Sequence, residues 1–441
     1  MRVLIVATPL TGHLNPLLAI GHTLMNEGCK VLGLSANIMR DRFERLGTPF
    51  RAFPGRADVD LSDRDVAFTE WRTIPPGPGR LRFALERVYI DAIHAQHQGL
   101  QRVLEEFPAD VILGDNFLFG VLPMLLGRRS RRPAIVLCGT MLLHCRRDDG
   151  APHFAGLPPA GSAAQREKYA AISKEHDRVI YDPVKRHLNE SLARLGVAPV
   201  ATDLFHAMVA LPDAYLQLTV PGFEFPRRKL PASVHFIGTP PIIPRQAPLP
   251  PWAHELDGSR KVVLVTQGTL SNFDFSQLVE PTLEALANEP GVLVVITTGG
   301  RPVNAIRGPV PTNARLATYL PFEWLLPQVD VCRATAFSLL PMISKFTRTA
   351  EAAVNGITDG VRQWPHHPGD RRVSEQHHRQ LMPRIHEPRV AVHAAPQPAT
   401  WTLRRPCPSR IHQHGPAQRP FPTGYGHLKV SGFHRAQLSD R

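Results

Sequence analysis

No apolar run in the sequence approaches the ~18 residues of a membrane-spanning helix, so no transmembrane segment is expected. The apolar start of the chain is halted by Thr8, Pro9, Thr11, Gly12 and His13 and lacks the small-residue cleavage pattern of a secretory signal. Cysteine is scarce: Cys29, Cys138, Cys145, Cys332 and Cys407 are scattered, odd in number and never spaced C-x-x-C. That distribution argues against a disulfide framework and against a zinc site, and it fits a reducing, cytoplasmic location. The three glycines of a G-x-G-x-x-G dinucleotide loop are missing too, since "TPLTGHLNP" contributes only Gly12. A hydride-transferring Rossmann dehydrogenase is thereby disfavoured.

What is present describes a soluble globular protein long enough for two domains: 441 residues, 43% hydrophobic and 20% charged. The net charge of +13 suggests nucleic acid until its distribution is counted. Residues 333–441 hold 16 Lys and Arg against 6 Asp and Glu, whereas the first 332 residues hold 35 against 32. The basic character belongs to one segment and not to a binding face of the fold, so no nucleic-acid partner is expected.

Val3–Ala7 is a continuous apolar run, as in a central parallel strand covered on both faces. Asn15 and Pro16 suit the start of a helix, Leu17, Leu18, Ile20, Leu24 and Met25 supply its apolar face, and Gly28 suits its end. Further strands are expected at Val31–Leu34, Val111–Leu113 and Ala134–Leu137, with a helix around Gly120–Leu126 and another over about Gln165–Leu195. Strands alternating with helices predict an α/β fold of doubly wound parallel sheets. The Gly-, Pro- and charge-rich stretch from Cys145 to Gly161 reads as a surface loop. Six prolines in Pro240–Pro251 read as an extended interdomain connection. The alternation restarts with strands at Lys261–Thr266, Val292–Thr298 and Arg315–Thr318 and a helix over Phe275–Asn288.

Ligands of open parallel sheets bind beyond the carboxyl ends of the strands. His13 lies in the first such loop, and Asp115 follows the Val111–Leu113 strand in another. A carboxylate on one imidazole nitrogen fixes the tautomer and stabilises the imidazolium, so such a pair can activate an alcohol. The same residues also suit plainer roles, His13 closing a turn and Asp115 capping a helix. Gly268 and Thr269, in "VVLVTQGTLSN", end a strand where a backbone amide and a hydroxyl could approach a phosphate, or could form an ordinary turn. "TTGGRP" at Thr297–Pro302 offers a weaker version of the same arrangement.

From Met1 to about Val331 the ordered set "GHLNP", "ADVILGD", "FAGLPP", "LPDAYLQLTVPGFEFPRRKLPASVHFIGTPP", "VLVTQGTLSNFDF", "VVITTGG" and "NARLATYLPFEWLLPQVDV" resembles family 1 glycosyltransferases of the GT-B fold, close to the natural-product type. The resemblance implies two Rossmann-like domains. Residues 1–220 would bind an apolar, hydroxyl-bearing acceptor, 221–257 would link, and 258–332 would form part of a nucleotide-sugar domain. It implies that His13 is the general base, Asp115 its orienting acid, and that Gly268 and Thr269 approach the donor diphosphate. Tyr319 stands where the family often stacks a Trp on the nucleotide base. No metal and no cofactor beyond the nucleotide-sugar co-substrate is implied; helix dipoles and side-chain donors neutralise the leaving group.

The resemblance ends abruptly. The family's Gly-Gly-x-Gly-Ser loop has no counterpart, since no Gly-Gly follows Gly300, and "NGITDG" at Asn355–Gly360 reads as a turn. In 333–441 Arg outnumbers Lys 14 to 2 and 10 of the 21 His gather. GC-rich coding DNA translated out of frame has this composition, so a frameshift near codon 332 is one reading and a divergent tail that binds an anionic partner is the other. Such a segment can bury little apolar surface, so an irregular or disordered tail and an incomplete second sheet with an unpaired edge are expected. That domain would be marginal and its donor site poor.

Overall fold

Val3 to Val6 are all buried because their strand, β1 (Arg2–Val6), runs through the middle of a sheet covered on both faces. The computed structural model describes residues 1–335 except 63, 76, 153–156, 226, 241–242, 244–247 and 270–271, with backbone alone at 64–65, 333 and 335 and in 391–395 and 400–404. Successive residues of each central strand face opposite layers. Leu4, Val6, Ile112, Ile135 and Leu137 enter one apolar cluster, and Val3, Ile5, Val111, Leu113, Val136 and Cys138 enter the other.

The first sheet has seven parallel strands in the order β3-β2-β1-β4-β5-β6-β7. After β1 come β2 (Lys30–Ser35), β3 (Phe50–Ala52), β4 (Val111–Asp115), β5 (Ala134–Gly139), β6 (Ala214–Gln217) and β7 (Val234–Phe236). The chain order reverses between β1 and β4, which opens a crevice above their carboxyl ends. The long helical stretch expected near Gln165–Leu195 is present as Ala163–His176, a π-helical turn, and Asp182–Arg194.

Four expectations need correction. The boundary at residue 220 falls short, because β7 pairs with β6 and so belongs to the first sheet. Helix α1 spans Thr11–Asn26, so it begins four residues before Asn15 and carries Pro16 inside it. Backbone closes its first turn: the Leu10 carbonyl accepts from the His13 and Leu14 amides, while Asn15 accepts from Arg42 at 3.1 Å. The stretch from Cys145 to Gly161 is no simple surface loop, since Cys145 and Arg147 are buried at its start. The tail is not wholly irregular either, as its strands in the second sheet show.

That second sheet runs β10-β9-β8-β11-β13-β12. Its first four strands, β8 (Lys261–Thr266), β9 (Val292–Thr297), β10 (Ala314–Ala317) and β11 (Val331–Thr335), are parallel. From the tail, β12 (Ala391–Ala395) and β13 (Thr400–Arg404) add an antiparallel hairpin, and β13 pairs along the whole of β11. The edge expected to be unpaired is thus covered by backbone. The remainder of 336–441, Asn355–Gly360 included, lies outside the described residues, as does the start of the "FAGLPP" segment at 154–156. Half of the proline-rich connection does too; its end, Trp252, packs on Trp324 beside the second core at 6.3 Å between ring centroids.

Two buried features set the carboxyl-edge loops. After β5, the Leu143 amide donates to both oxygens of Glu224 at 3.0 and 3.1 Å, and Gln217 Nε2 donates to Oε1 at 2.8 Å. Arg227 lies 3.5 Å from the same carboxyl group and donates to the Leu143 and Cys145 carbonyls. In the second sheet, Gly299 has φ 64° and its missing Cβ would collide with the Gly268 carbonyl, so the loops after β8 and β9 touch backbone to backbone.

Burial pushes Glu224 up to about 7 from an ordinary 4.5, against the opposing pull of Arg227 and its amide donors. A raised folded-state value contributes stability that is fully present below about 4.5 and lost as pH rises through about 7. Thermal melts between about pH 5 and pH 8 should therefore show wild type losing up to about 1.4 kcal/mol per pH unit relative to Glu224→Gln. Parallel curves for the two proteins would contradict this. Gly299→Ala should cost about 1–3 kcal/mol in thermal unfolding. Gly291→Ala, where a Cβ meets nothing within 4 Å, should be near neutral, and equal melting of the two variants would refute the close approach.

Candidate active site at the switch point of the first sheet

The register of β1 on β4 places Val6 opposite Gly114, so Thr8 falls beside Asp115 at the carboxyl edge. Asp115 is completely buried at the end of β4. It accepts from the Thr8 amide at 2.6 Å, the Thr8 hydroxyl at 3.0 Å and the Phe117 amide at 2.9 Å. Its fourth partner is His13 Nδ1 at 2.9 Å. Burial works to raise the Asp115 carboxyl, but the His13 charge and the hydrogen bonds from His13, Thr8 and Phe117 prevail and hold it below the usual carboxylate range. It therefore remains an acceptor only, which requires Nδ1 to carry the proton and leaves Nε2 as the basic nitrogen.

His13 sits in the first turn of α1 with 3% of its surface exposed. Its ring packs edge-on against Phe117 at 5.3 Å between centroids. Phe117 in turn contacts Tyr89, Phe119, His144 and Phe205 at centroid distances of 4.8 to 6.1 Å. An imidazole with a fixed tautomer beside an aromatic wall can accept a proton from the hydroxyl of an apolar molecule. Two neighbours escaped the sequence reading. Thr140, just past β5, places Oγ1 3.3 Å from His13 Nδ1, and Asn116 accepts from the Thr140 hydroxyl at 2.8 Å. Each is a small polar residue directly after an apolar run, a signal too common to single out.

The residues expected at the donor side gather at the carboxyl edge of the second sheet. The Gly268 amide donates to Thr266 Oγ1 at 3.1 Å, and Thr266 Oγ1 accepts from Thr297 Oγ1 at 2.9 Å. Asn272 Nδ2 reaches the Thr298 and Gly299 carbonyls at 2.8 and 3.1 Å. Tyr319 donates its hydroxyl to Gly299 O at 3.3 Å and keeps 51% of its surface exposed. Gly268 and Tyr319 thus meet through Gly299, and Thr269, partly exposed, follows Gly268 in the same turn.

Among the described residues no helix is long and apolar enough to cross a membrane, and no group of three His, Cys, Asp or Glu is placed to hold a metal. No protein-family profile matches the chain. It is 34% identical over 346 residues to UDP-glycosyltransferase 2 of Phaeomoniella chlamydospora, a match that covers 75% of this chain and 74% of that protein. It is 32% identical over 410 residues to 4'-demethylrebeccamycin synthase of Lentzea aerocolonigenes, covering 89% and 94%. Its fold is similar to the glycotransferase of kitacinnamycin, at TM-score 0.52, 19% identity and coverage of 76% and 75%. The calicheamicin glycosyltransferase CalG4 is equally similar, at TM-score 0.52, 16% identity and coverage of 81% and 83%. With identity above 30% across three quarters or more of its length, and with paired Rossmann-like sheets, the chain belongs to the nucleotide-sugar glycosyltransferases of the GT-B fold, family 1, and is by ancestry a hexosyltransferase.

Proposed function

We propose that the chain descends from an inverting enzyme that moves a sugar from a UDP- or dTDP-sugar onto a hydroxyl of an apolar natural product. The observation that supports this most is the His13–Asp115 contact of 2.9 Å at the switch point, beside the aromatic wall around Phe117. His13 Nε2 takes the acceptor proton, Asp115 holds the imidazolium that results, and the freed oxygen attacks the anomeric carbon as the nucleoside diphosphate leaves. Gly268 and Thr269 approach that diphosphate, and Tyr319 offers its exposed ring to the nucleotide base. The proposal invokes no metal and no cofactor other than the sugar donor.

A second reading has its own observation. No Gly-Gly-x-Gly-Ser segment follows β11, where the resemblance places the loop that holds donor phosphates. On this reading the chain is a pseudoenzyme whose first domain binds apolar ligands without turnover. Incubation with UDP- and dTDP-sugars and a panel of hydroxylated apolar acceptors, followed by mass spectrometry, separates the two. Transfer that falls about 10²–10⁴-fold in His13→Ala, with acceptor binding retained, supports the enzyme. Binding with no transfer by either protein supports the pseudoenzyme. Translating the coding DNA beyond codon 332 in its other two frames should recover a Gly-Gly-x-Gly-Ser segment in one of them. Its absence from both would leave the tail as a divergent segment.

A further inference from the structure

We infer that Thr140 and Asn116 form a second lock on the tautomer of His13, acting on the nitrogen that Asp115 already holds. The Thr140 N–H lies 3.2 Å from Asn116 Oδ1, and an N–H can only donate. The amide atom that faces Thr140 must therefore be the oxygen, which fixes which way Asn116 points. This orientation leaves Asn116 Nδ2 without a partner among the described residues. Turning the amide over would set Nδ2 against the Thr140 N–H, donor against donor.

The Thr140 hydroxyl has one hydrogen, and it stands 2.8 Å from an amide oxygen that has none to offer. The hydroxyl must donate there. What it turns toward His13 Nδ1, 3.3 Å away, is then a lone pair. A lone pair at that distance is attractive only when Nδ1 carries a hydrogen. Thr140 is 5% exposed and Asn116 2%, so both are shielded from bulk solvent. Two acceptors therefore converge on Nδ1: the Asp115 carboxylate, shorter and charged, and the Thr140 oxygen, longer and neutral.

Thr140 is thus a positioning residue and carries no proton itself, because its hydrogen is committed to an acceptor that cannot pass one on. When His13 Nε2 gains a proton, the Nδ1–H stays where it is and no relay follows. Asp115 dominates in the native chain, so the Thr140 lock becomes visible when that carboxylate is neutralised. The inference takes its chemical meaning from His13 as the base. The tautomer, however, can be measured without turnover, so absence of transfer would count against the proposed enzyme and leave the lock to be judged separately.

The test is ring-nitrogen NMR on full-length protein labelled with ¹⁵N-histidine, with His13→Ala used to assign the His13 signals. Wild type and Thr140→Val should both show the Nδ1–H form, with the Nδ1–H proton resonance displaced in Thr140→Val and restored in Thr140→Ser. Asp115→Asn should keep Nδ1–H as its main form. In Asp115→Asn/Thr140→Val the ratio of Nδ1–H to Nε2–H should fall about five-fold, the weight of one neutral hydrogen bond. Asp115→Asn/Asn116→Leu should shift the same way although Thr140 is present, because its hydroxyl is then free to donate to Nδ1. An unchanged ratio in both double variants overturns the lock. If the Asp115 variants do not fold, an Nδ1–H resonance in Thr140→Val identical to wild type overturns it alone.

Discussion

One buried carboxylate organises the carboxyl edge of the first sheet. Asp115 has no access to water, and its charge is sustained by four donors from three separate segments: Thr8 after β1, His13 in α1 and Phe117 after its own strand. Removing a charge from water is costly unless it is fully hydrogen-bonded, so each of these segments is held to a position that serves the carboxylate. The imidazole is aimed by the same requirement. Structural necessity and chemical capacity reside here in the same four contacts.

The strands legible in the sequence are those whose burial on both faces writes an unbroken apolar run. Val3–Ala7, Val31–Leu34, Lys261–Thr266 and Val292–Thr298 each recur in the fold within a residue or so at either end. Length alone does not decide legibility, since the four-residue β10 is met at Arg315–Thr318, but three other short or mixed strands are not legible. β3 and β7 have three residues each, and β6 ends in Gln217, a polar residue tolerated in the interior because Met141 O and Glu224 accept from its amide. The start of α1 was misread because Asn-Pro is a frequent helix opening, whereas here the Leu10 carbonyl closes the turn without a side-chain cap. His13 and Asp115 could be nominated because each follows an apolar run. That Thr8 and Thr140 meet them could not, since those contacts join residues 107 and 127 positions apart and depend on strand register.

The described carboxyl-edge loops of the two sheets are built differently. In the first, side chains fill the crevice between β1 and β4, and polar atoms there are largely satisfied by one another. In the second, the described loops after β8, β9 and β10 meet closely, with Gly268 against Gly299, Asn272 on the Thr298 and Gly299 carbonyls and the Tyr319 hydroxyl on a carbonyl. Beyond β11 the described residues supply β13 in the antiparallel sense, and it covers the strand edge of β11.

Pro16 inside α1 has a consequence for its first turn. Proline has no N–H, so the Gly12 carbonyl lacks its partner one turn ahead, and the ladder that should join the first turn to the rest of the helix is one rung short. The turn bearing His13 is therefore tied to the helix behind it by one backbone hydrogen bond fewer, and the 2.9 Å contact with Asp115 ties the imidazole to the sheet instead.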